Sequence, residues 1–109
     1  MNGASVRVST TVSLVGTFTV IHTVYKDRWF RVTCIHVANV TGADDTLQVC
    51  IVPSGGTPVS GSALVWNFTV PKNDFCEFGE SLWLAPASSI QALCATPHAL
   101  NFHLSGLEN

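Results

Sequence analysis

The chain has 109 residues, enough for one domain with a core of its own, and its formal net charge is -2 at pH 7. This net charge argues against a protein that binds nucleic acid or anionic membranes, which would be expected to carry a basic surface. The chain also has no apolar run of about 18 residues that would form a transmembrane helix. Hydrophobic residues make up 47% of the chain and charged residues only 11%, against roughly 25% in ordinary soluble domains, so we expect part of its surface to be buried against other chains.

Residues 1–16 are predicted to form an N-terminal strand or arm. Residues 1–5 lack the basic and apolar regions of a secretory signal peptide, so we expect a cytoplasmically made protein. The segment that follows, residues 5–14, is rich in Val, Thr and Ser but has few large apolar side chains. It is either an arm that pairs with a neighbouring molecule or an edge strand of its own domain. Its candidate interface residues are Val6, Val8 and Val12.

From residue 17 to residue 109 the sequence predicts one β-sandwich domain. Strand-like segments recur every 8–12 residues or so, separated by turn residues, and no sustained helical spacing occurs. The predicted strands are residues 5–14, 18–25, 29–40, 46–52, 63–70, 75–78 with 82–84, 89–95 and 100–107. This all-β pattern of about eight strands is typical of an antiparallel β-sandwich of jelly-roll type. The Gly- and Ser-rich residues 53–62 are expected to form a loop that crosses between the sheets.

Three late segments alternate apolar and polar residues, which predicts strands with one buried face. On this basis we expect six large apolar side chains to lie in the core. They are Leu64, Trp66, Phe68, Ile90, Phe102 and Leu104.

The four cysteines lie in separate predicted strands and none forms a close pair with metal-ligand spacing. The favoured interpretation is that they are reduced and act as small apolar residues of the sheets. Disulfide formation would require an oxidising compartment, and the sequence does not choose among the three possible pairings. The residues are Cys34, Cys50, Cys76 and Cys94.

The residues that could support catalysis form no recognisable motif. The histidines include no His-x-His pair, and there is no nucleophile elbow or phosphate-binding glycine loop, so the sequence predicts neither an enzyme nor a metal or cofactor site. His22 and His36 lack a carboxylate at a useful offset, His98 is expected to be solvated in a turn, and His103 to lie on the surface or in an interface. The carboxylates considered are Asp44, Asp45, Asp74, Glu77 and Glu80.

Aromatic residues near turns are the remaining binding candidates. Trp29 and Phe30 follow one turn and Trp83 lies near another. Exposed aromatic rings in a sandwich can stack on sugars, but aromatic residues are also enriched in protein interfaces and in cores. We therefore take Trp29, Phe30 and Trp83 as candidate interface residues, with sugar binding as the alternative.

Several short segments carry a family resemblance that extends from about Val20 to Glu108. They are Ile35-His36-Val37-Ala38-Asn39-Val40-Thr41-Gly42, Ile51-Val52-Pro53-Ser54-Gly55-Gly56, Val70-Pro71-Lys72-Asn73-Asp74, Ser89-Ile90-Gln91-Ala92 and Asn101-Phe102-His103-Leu104-Ser105-Gly106. In these segments the chain resembles a β module of tailed-bacteriophage virion proteins. Where that module has Gly-Asp before Ser-Ile-Gln-Ala, this chain has Ala87-Ser88.

The resemblance implies a structural protein of the phage virion, made in the host cytoplasm. The short chain is most similar to capsid decoration (cement) proteins, which implies that it binds the major capsid protein on the outer capsid surface and stabilises the shell. A homo-oligomer, a dimer or a trimer, is the expected unit. The alternative implied by the same resemblance is a tail or fibre component with a lectin-like receptor-binding role.

Overall fold

The computed structural model describes residues 6–79 and 81–109, and in these residues it contains nine β-strands and one short 3-10 helix. No helix in the described ranges is long and apolar enough to cross a membrane. The strands are β1 (Val6–Ser13), β2 (Thr19–Thr23), β3 (Phe30–Asn39), β4 (Asp45–Val52), β5 (Ala63–Val70), β6 (Phe75–Phe78), β7 (Leu82–Leu84), β8 (Ser89–Cys94) and β9 (Leu100–Glu108), and the 3-10 helix is Ser60–Ser62.

The strands form two antiparallel sheets. The five-stranded sheet has the order β1-β9-β3-β6, with β7 also paired to β3, and the four-stranded sheet has the order β2-β8-β4-β5. Most connections pass from one sheet to the other, which confirms the predicted antiparallel, jelly-roll-like sandwich. The prediction that residues 53–62 cross between the sheets is wrong, because they connect β4 to β5, which pair with each other in the four-stranded sheet. The strand count exceeds the prediction because β6 and β7 pair separately with β3, at Ile35–Ala38 and at Phe30–Val32.

Strand β3 is the central strand of the five-stranded sheet, and its alternation supplies much of the core. Phe30 and Val32 are buried before a register shift between Val32 and Cys34, and Ile35 and Val37 are buried after it. One extra residue in a strand reverses the alternation of its faces, so this β-bulge lets both halves of β3 direct apolar side chains inward. Facing side chains from the four-stranded sheet complete a single core cluster.

One end of the core is built around the ring of Phe30. This ring and the Arg31 carbonyl oxygen occupy the space that a Cβ atom on Gly106 would need. Phe30 also contacts the His22 ring, at 4.7 Å between ring centroids. His22 Nε2 lies 2.9 Å from Glu108 Oε1. Because His22 belongs to β2 and Glu108 to β9, this mostly buried hydrogen bond joins the two sheets.

The core prediction is confirmed for β8 and β9 and wrong for β5. Ile90 and Phe102 are 0% exposed and Leu104 1%, but Leu64, Trp66 and Phe68 are 41%, 43% and 41% exposed. Strand β5 lies at the edge of its sheet, and its register with β4 shifts twice. The shifts break the alternation, so Val65 and Val70 face the core instead.

Strand β1 is an edge strand of the five-stranded sheet. It pairs with β9 along its whole length, from Val6 opposite Glu108 to Ser13 opposite Asn101. Val8 and Val12 are half-buried and pack against the core, whereas Val6 is 46% exposed. Residues 2–5 of the predicted arm lie outside the described residues. The outer edge of β1 has no partner strand within the described ranges, so pairing with another molecule stays a prediction.

Replacing Phe102 by Ala is expected to lower the free energy of unfolding by about 3–5 kcal/mol, because the ring is fully buried. Phe68→Ala is the matched control and should cost clearly less, because Phe68 is 41% exposed and packs at the rim against Phe78. Urea denaturation of both variants checks this. Equal losses would contradict the burial of one ring and the exposure of the other.

Replacing Gly106 by Ala is expected to destabilise the protein by about 1–3 kcal/mol or more, because the new methyl group would collide with the Phe30 ring and the backbone of β3. Gly42→Ala is the matched control, since nothing lies within 4 Å of the position its Cβ would take. Thermal unfolding followed by circular dichroism measures both effects. A harmless Gly106→Ala variant would refute the close approach of Phe30 to Gly106.

Candidate interaction surface

The outer face of the five-stranded sheet carries two exposed tryptophans at one end. Trp29 precedes β3 and continues its alternation, so it lies on the face opposite to buried Phe30, and the Trp29 backbone exchanges two hydrogen bonds with Asn109. Trp83 on β7 lies directly opposite Arg31 on β3. Each tryptophan is 51% exposed. We call Trp29, Arg31 and Trp83 the tryptophan end.

The tryptophan end combines apolar rings with positive charge. The Arg31 guanidinium lies 5.9 Å from the centre of the Trp83 ring, a cation–π contact. The same cross-strand row continues through Leu107 to Arg7. A shallow depression of about 260 Å³ adjoins the row, and hydroxyl-bearing Thr33 and Ser105 help to line it. In residues 6–79 and 81–109, the ion pairs that involve a side-chain carboxylate are His22–Glu108 and His36–Glu77.

The six candidate interface residues differ in exposure, and Val8 and Val12 are half-buried. Trp29, Trp83 and Val6 are exposed, and all three lie at the same end of the sheet, because Val6 shares a register row with Glu108, Phe30 and Leu84. The prediction that Phe30 is an interface residue is wrong. It is 0% exposed and belongs to the core, because neighbouring residues of a strand point to opposite faces and Trp29 takes the outer one.

The four-stranded sheet also has an aromatic feature on its outer face, which the sequence analysis did not predict. Phe18, just before β2, stacks on Trp66 of β5, with 6.4 Å between ring centroids and 28° between ring planes. Neighbouring Asn67 accepts a 2.6 Å hydrogen bond from Gln48, and Val20 is 50% exposed. The regular alternation of β5 assigned Trp66 to the core, and only the register shifts of this edge strand bring it to the surface.

The histidines have partners that the sequence did not indicate. His22 pairs with Glu108, and His36 Nδ1 lies 3.2 Å from Glu77 Oε2, although both histidines were expected to lack a carboxylate. His98 is exposed and bonds to Ser13, and His103 is exposed and bonds to Thr11.

The remaining carboxylates serve turns. Asp44 accepts a hydrogen bond from the Lys72 amide, Asp45 from that of Thr96 and Asp74 from that of Phe75. Glu80 lies outside the described residues. Within the described part of the chain, no group of three or more His, Cys, Asp or Glu residues could hold a metal ion.

The four cysteines are free thiols in two environments. Cys50 and Cys94 are buried and Cys34 and Cys76 are half-buried. Burial raises the pKa of the Cys94 thiol, and the charge of Asp45 adds to this effect. Burial likewise raises the pKa of Cys76, with a further contribution from Asp74. The thiolate is the reactive form, so both thiols are poor nucleophiles near neutral pH.

No protein-family model matches the chain. No curated protein matches it. A solved structure of Bacillus endospore appendages, which form a family of disulfide-linked pili, has a similar fold, with a TM-score of 0.55 at 16% sequence identity over 96% of this chain and 84% of that chain. At this identity the likeness extends to the fold alone.

In the native protein, Cys76 and Cys94 are expected to react with iodoacetamide more slowly than glutathione at about pH 7.5, because a raised thiol pKa leaves less thiolate. Their rates should rise as the pH approaches the raised pKa values. Peptide mass spectrometry after timed alkylation measures each site, and labelling in urea should remove the protection. Native labelling of Cys94 at the rate of glutathione would contradict its burial.

Proposed function

We propose that this protein is a structural component of a larger assembly and that it acts by binding rather than by catalysis. The observation that carries the proposal is the tryptophan end, where two half-exposed indole rings and the Arg31 guanidinium lie together on the outer face of the sheet. Tryptophan and arginine are the residues most enriched among those that dominate binding energy at protein interfaces. Only 11% of the residues are charged, so the chain has little charged surface. Exposed apolar rings in such a chain favour burial against another molecule.

The specific proposal is a capsid decoration protein of a tailed bacteriophage. The resemblance of residues 20–108 to phage virion modules supports it, and a small β-sandwich fits the role. Bound across the boundary between neighbouring subunits of the major capsid protein, it would add contacts that must break before the shell expands or ruptures. A specific interface needs on the order of 1,000 Å² of buried surface, and binding as a dimer or trimer would add avidity. The site of action would then be the outer surface of the virion.

A second candidate is a subunit of a filamentous appendage. The observation that favours it is the fold shared with Bacillus endospore appendages that form pili. In this case the partner of the tryptophan end would be another copy of the same chain.

The tail or fibre role with lectin-like binding rests on the same surface, since Trp29 and Trp83 could stack on sugar rings.

The test is to add purified protein to phage shells that lack it and to measure bound copies and rupture temperature. We expect a ratio to the major capsid protein of a simple fraction, such as one to one or one to two, and a higher rupture temperature. The double variant Trp29→Ser with Trp83→Ser should bind at least tenfold more weakly, because it removes two interface rings. Tyr25→Ser is the matched control, since Tyr25 is a similarly exposed aromatic outside the tryptophan end.

The other outcomes separate the candidates. A ratio of a few per cent would favour a tail or fibre component, and concentration-dependent filaments in electron micrographs of the protein alone would favour an appendage subunit. Equal binding by the double variant and the wild type would contradict the assignment of the tryptophan end as the contact.

A further inference from the structure

Four polar side chains form a row across the outer face of the five-stranded sheet, away from the tryptophan end. Thr11 of β1 lies opposite His103 of β9, His103 lies opposite His36 of β3, and His36 lies opposite Glu77 of β6. Directly opposed residues of antiparallel strands have Cβ atoms about 4.5–5.5 Å apart and share a face of the sheet. The two histidine side chains are therefore neighbours, although 67 positions separate them in the chain.

Hydrogen bonds at both ends of the row occupy the Nδ1 atom of each imidazole. His36 Nδ1 lies 3.2 Å from Glu77 Oε2, and since a carboxylate only accepts, Nδ1 of His36 carries the proton. His103 Nδ1 lies 3.0 Å from Thr11 Oγ1, a hydroxyl that can also accept. Neither Nε2 atom has a hydrogen-bond partner in residues 6–79 and 81–109. Both Nε2 atoms can thus present a lone pair.

The two rings are close together and one of them is held in place. Their centroids are 5.6 Å apart with an angle of 63° between the ring planes. Phe75 stacks on His36 at 4.9 Å and 21°, which limits the movement of that ring. Two imidazole nitrogens bound to one metal ion, each at about 2.0–2.1 Å, lie roughly 3–3.5 Å apart. Binding of one ion by both rings would therefore require the exposed His103 ring to turn toward His36.

We propose that His36 and His103 form a binding site for a divalent transition-metal ion of the class that prefers imidazole, namely Ni²⁺, Cu²⁺ or Zn²⁺. The Nε2 atoms are the ligands, and Glu77 is the positioning residue of His36. A histidine ligand that donates its other N–H to a carboxylate is the usual arrangement at protein metal sites, since the carboxylate orients the ring and increases its basicity. Two protein ligands leave the other coordination positions open to water or to a group from a bound partner.

The surrounding groups favour a cation here. Glu77 is the carboxylate within hydrogen-bonding distance of the row, and Cys34 Sγ lies 3.9 Å from the same Oε2 atom. Cys34 is not a ligand, because its thiol interacts with the Glu77 carboxylate. The site is independent of the proposed structural role, since its residues do not belong to the tryptophan end.

The test is calorimetric titration of Ni²⁺ into tag-free protein at about pH 7.5. We expect one ion per chain. His36→Gln and His103→Gln should each lower the affinity at least tenfold, and Glu77→Gln by about 10- to 100-fold, the usual effect of losing an orienting partner. His98→Gln and Cys34→Ser are matched controls and should bind as the wild type does.

A second measurement separates loss of binding from loss of folding. Ni²⁺ should raise the melting temperature of the wild type and of His98→Gln but not that of His36→Gln or His103→Gln, because a ligand that binds only the folded state stabilises it. Without metal, all these variants should melt near the wild type, since the altered side chains are exposed or half-exposed. Absence of Ni²⁺ binding, undiminished binding by either ligand variant, or loss of binding in Cys34→Ser would overturn the proposal.

Discussion

The contact between Phe30 and Gly106 is the constraint on which one end of the sandwich depends. The Phe30 ring occupies the space that any larger residue at position 106 would need, so β3 and β9 can lie side by side there only with glycine in place. The same ring supports His22, and His22 in turn bonds to Glu108 on the other sheet. A single aromatic side chain thereby joins the pairing within one sheet to the packing between the two.

The core and the surfaces of this protein come from the same alternation of side chains. Since neighbouring residues of a strand point to opposite faces, burying Phe30 exposes Trp29 and Arg31, and burying Ile35 and Val37 puts His36 on the outer face. The bulge after Val32 keeps both halves of β3 in phase with the core. The tryptophan end and the histidine row are thus fixed by backbone pairing rather than by mobile loops, which favours sites that bind without rearrangement.

The sequence predicted the buried side chains correctly in strands that are paired on both sides and incorrectly in a strand that is paired on one side. Strands β8 and β9 are paired on both sides, and Ile90, Phe102 and Leu104 are buried as their alternation predicts. Strand β5 has one neighbour, so a shift in register disturbs fewer hydrogen bonds, and the alternation misplaced Trp66 and Phe68. Phe30 was misassigned to the interface because a single aromatic pair after a turn does not indicate which residue faces inward.

The sequence by itself determined the all-β class and the position of nearly every strand, because turn residues and side-chain alternation are local properties of the chain. Only the tertiary structure decided which strands are neighbours. Pairing across the sheets brought His22 to Glu108 and His36 to His103 and Glu77, and it placed Trp29 and Trp83 at one end. These contacts join residues far apart in the chain, and strand order depends on how the whole chain closes over its core rather than on any local pattern.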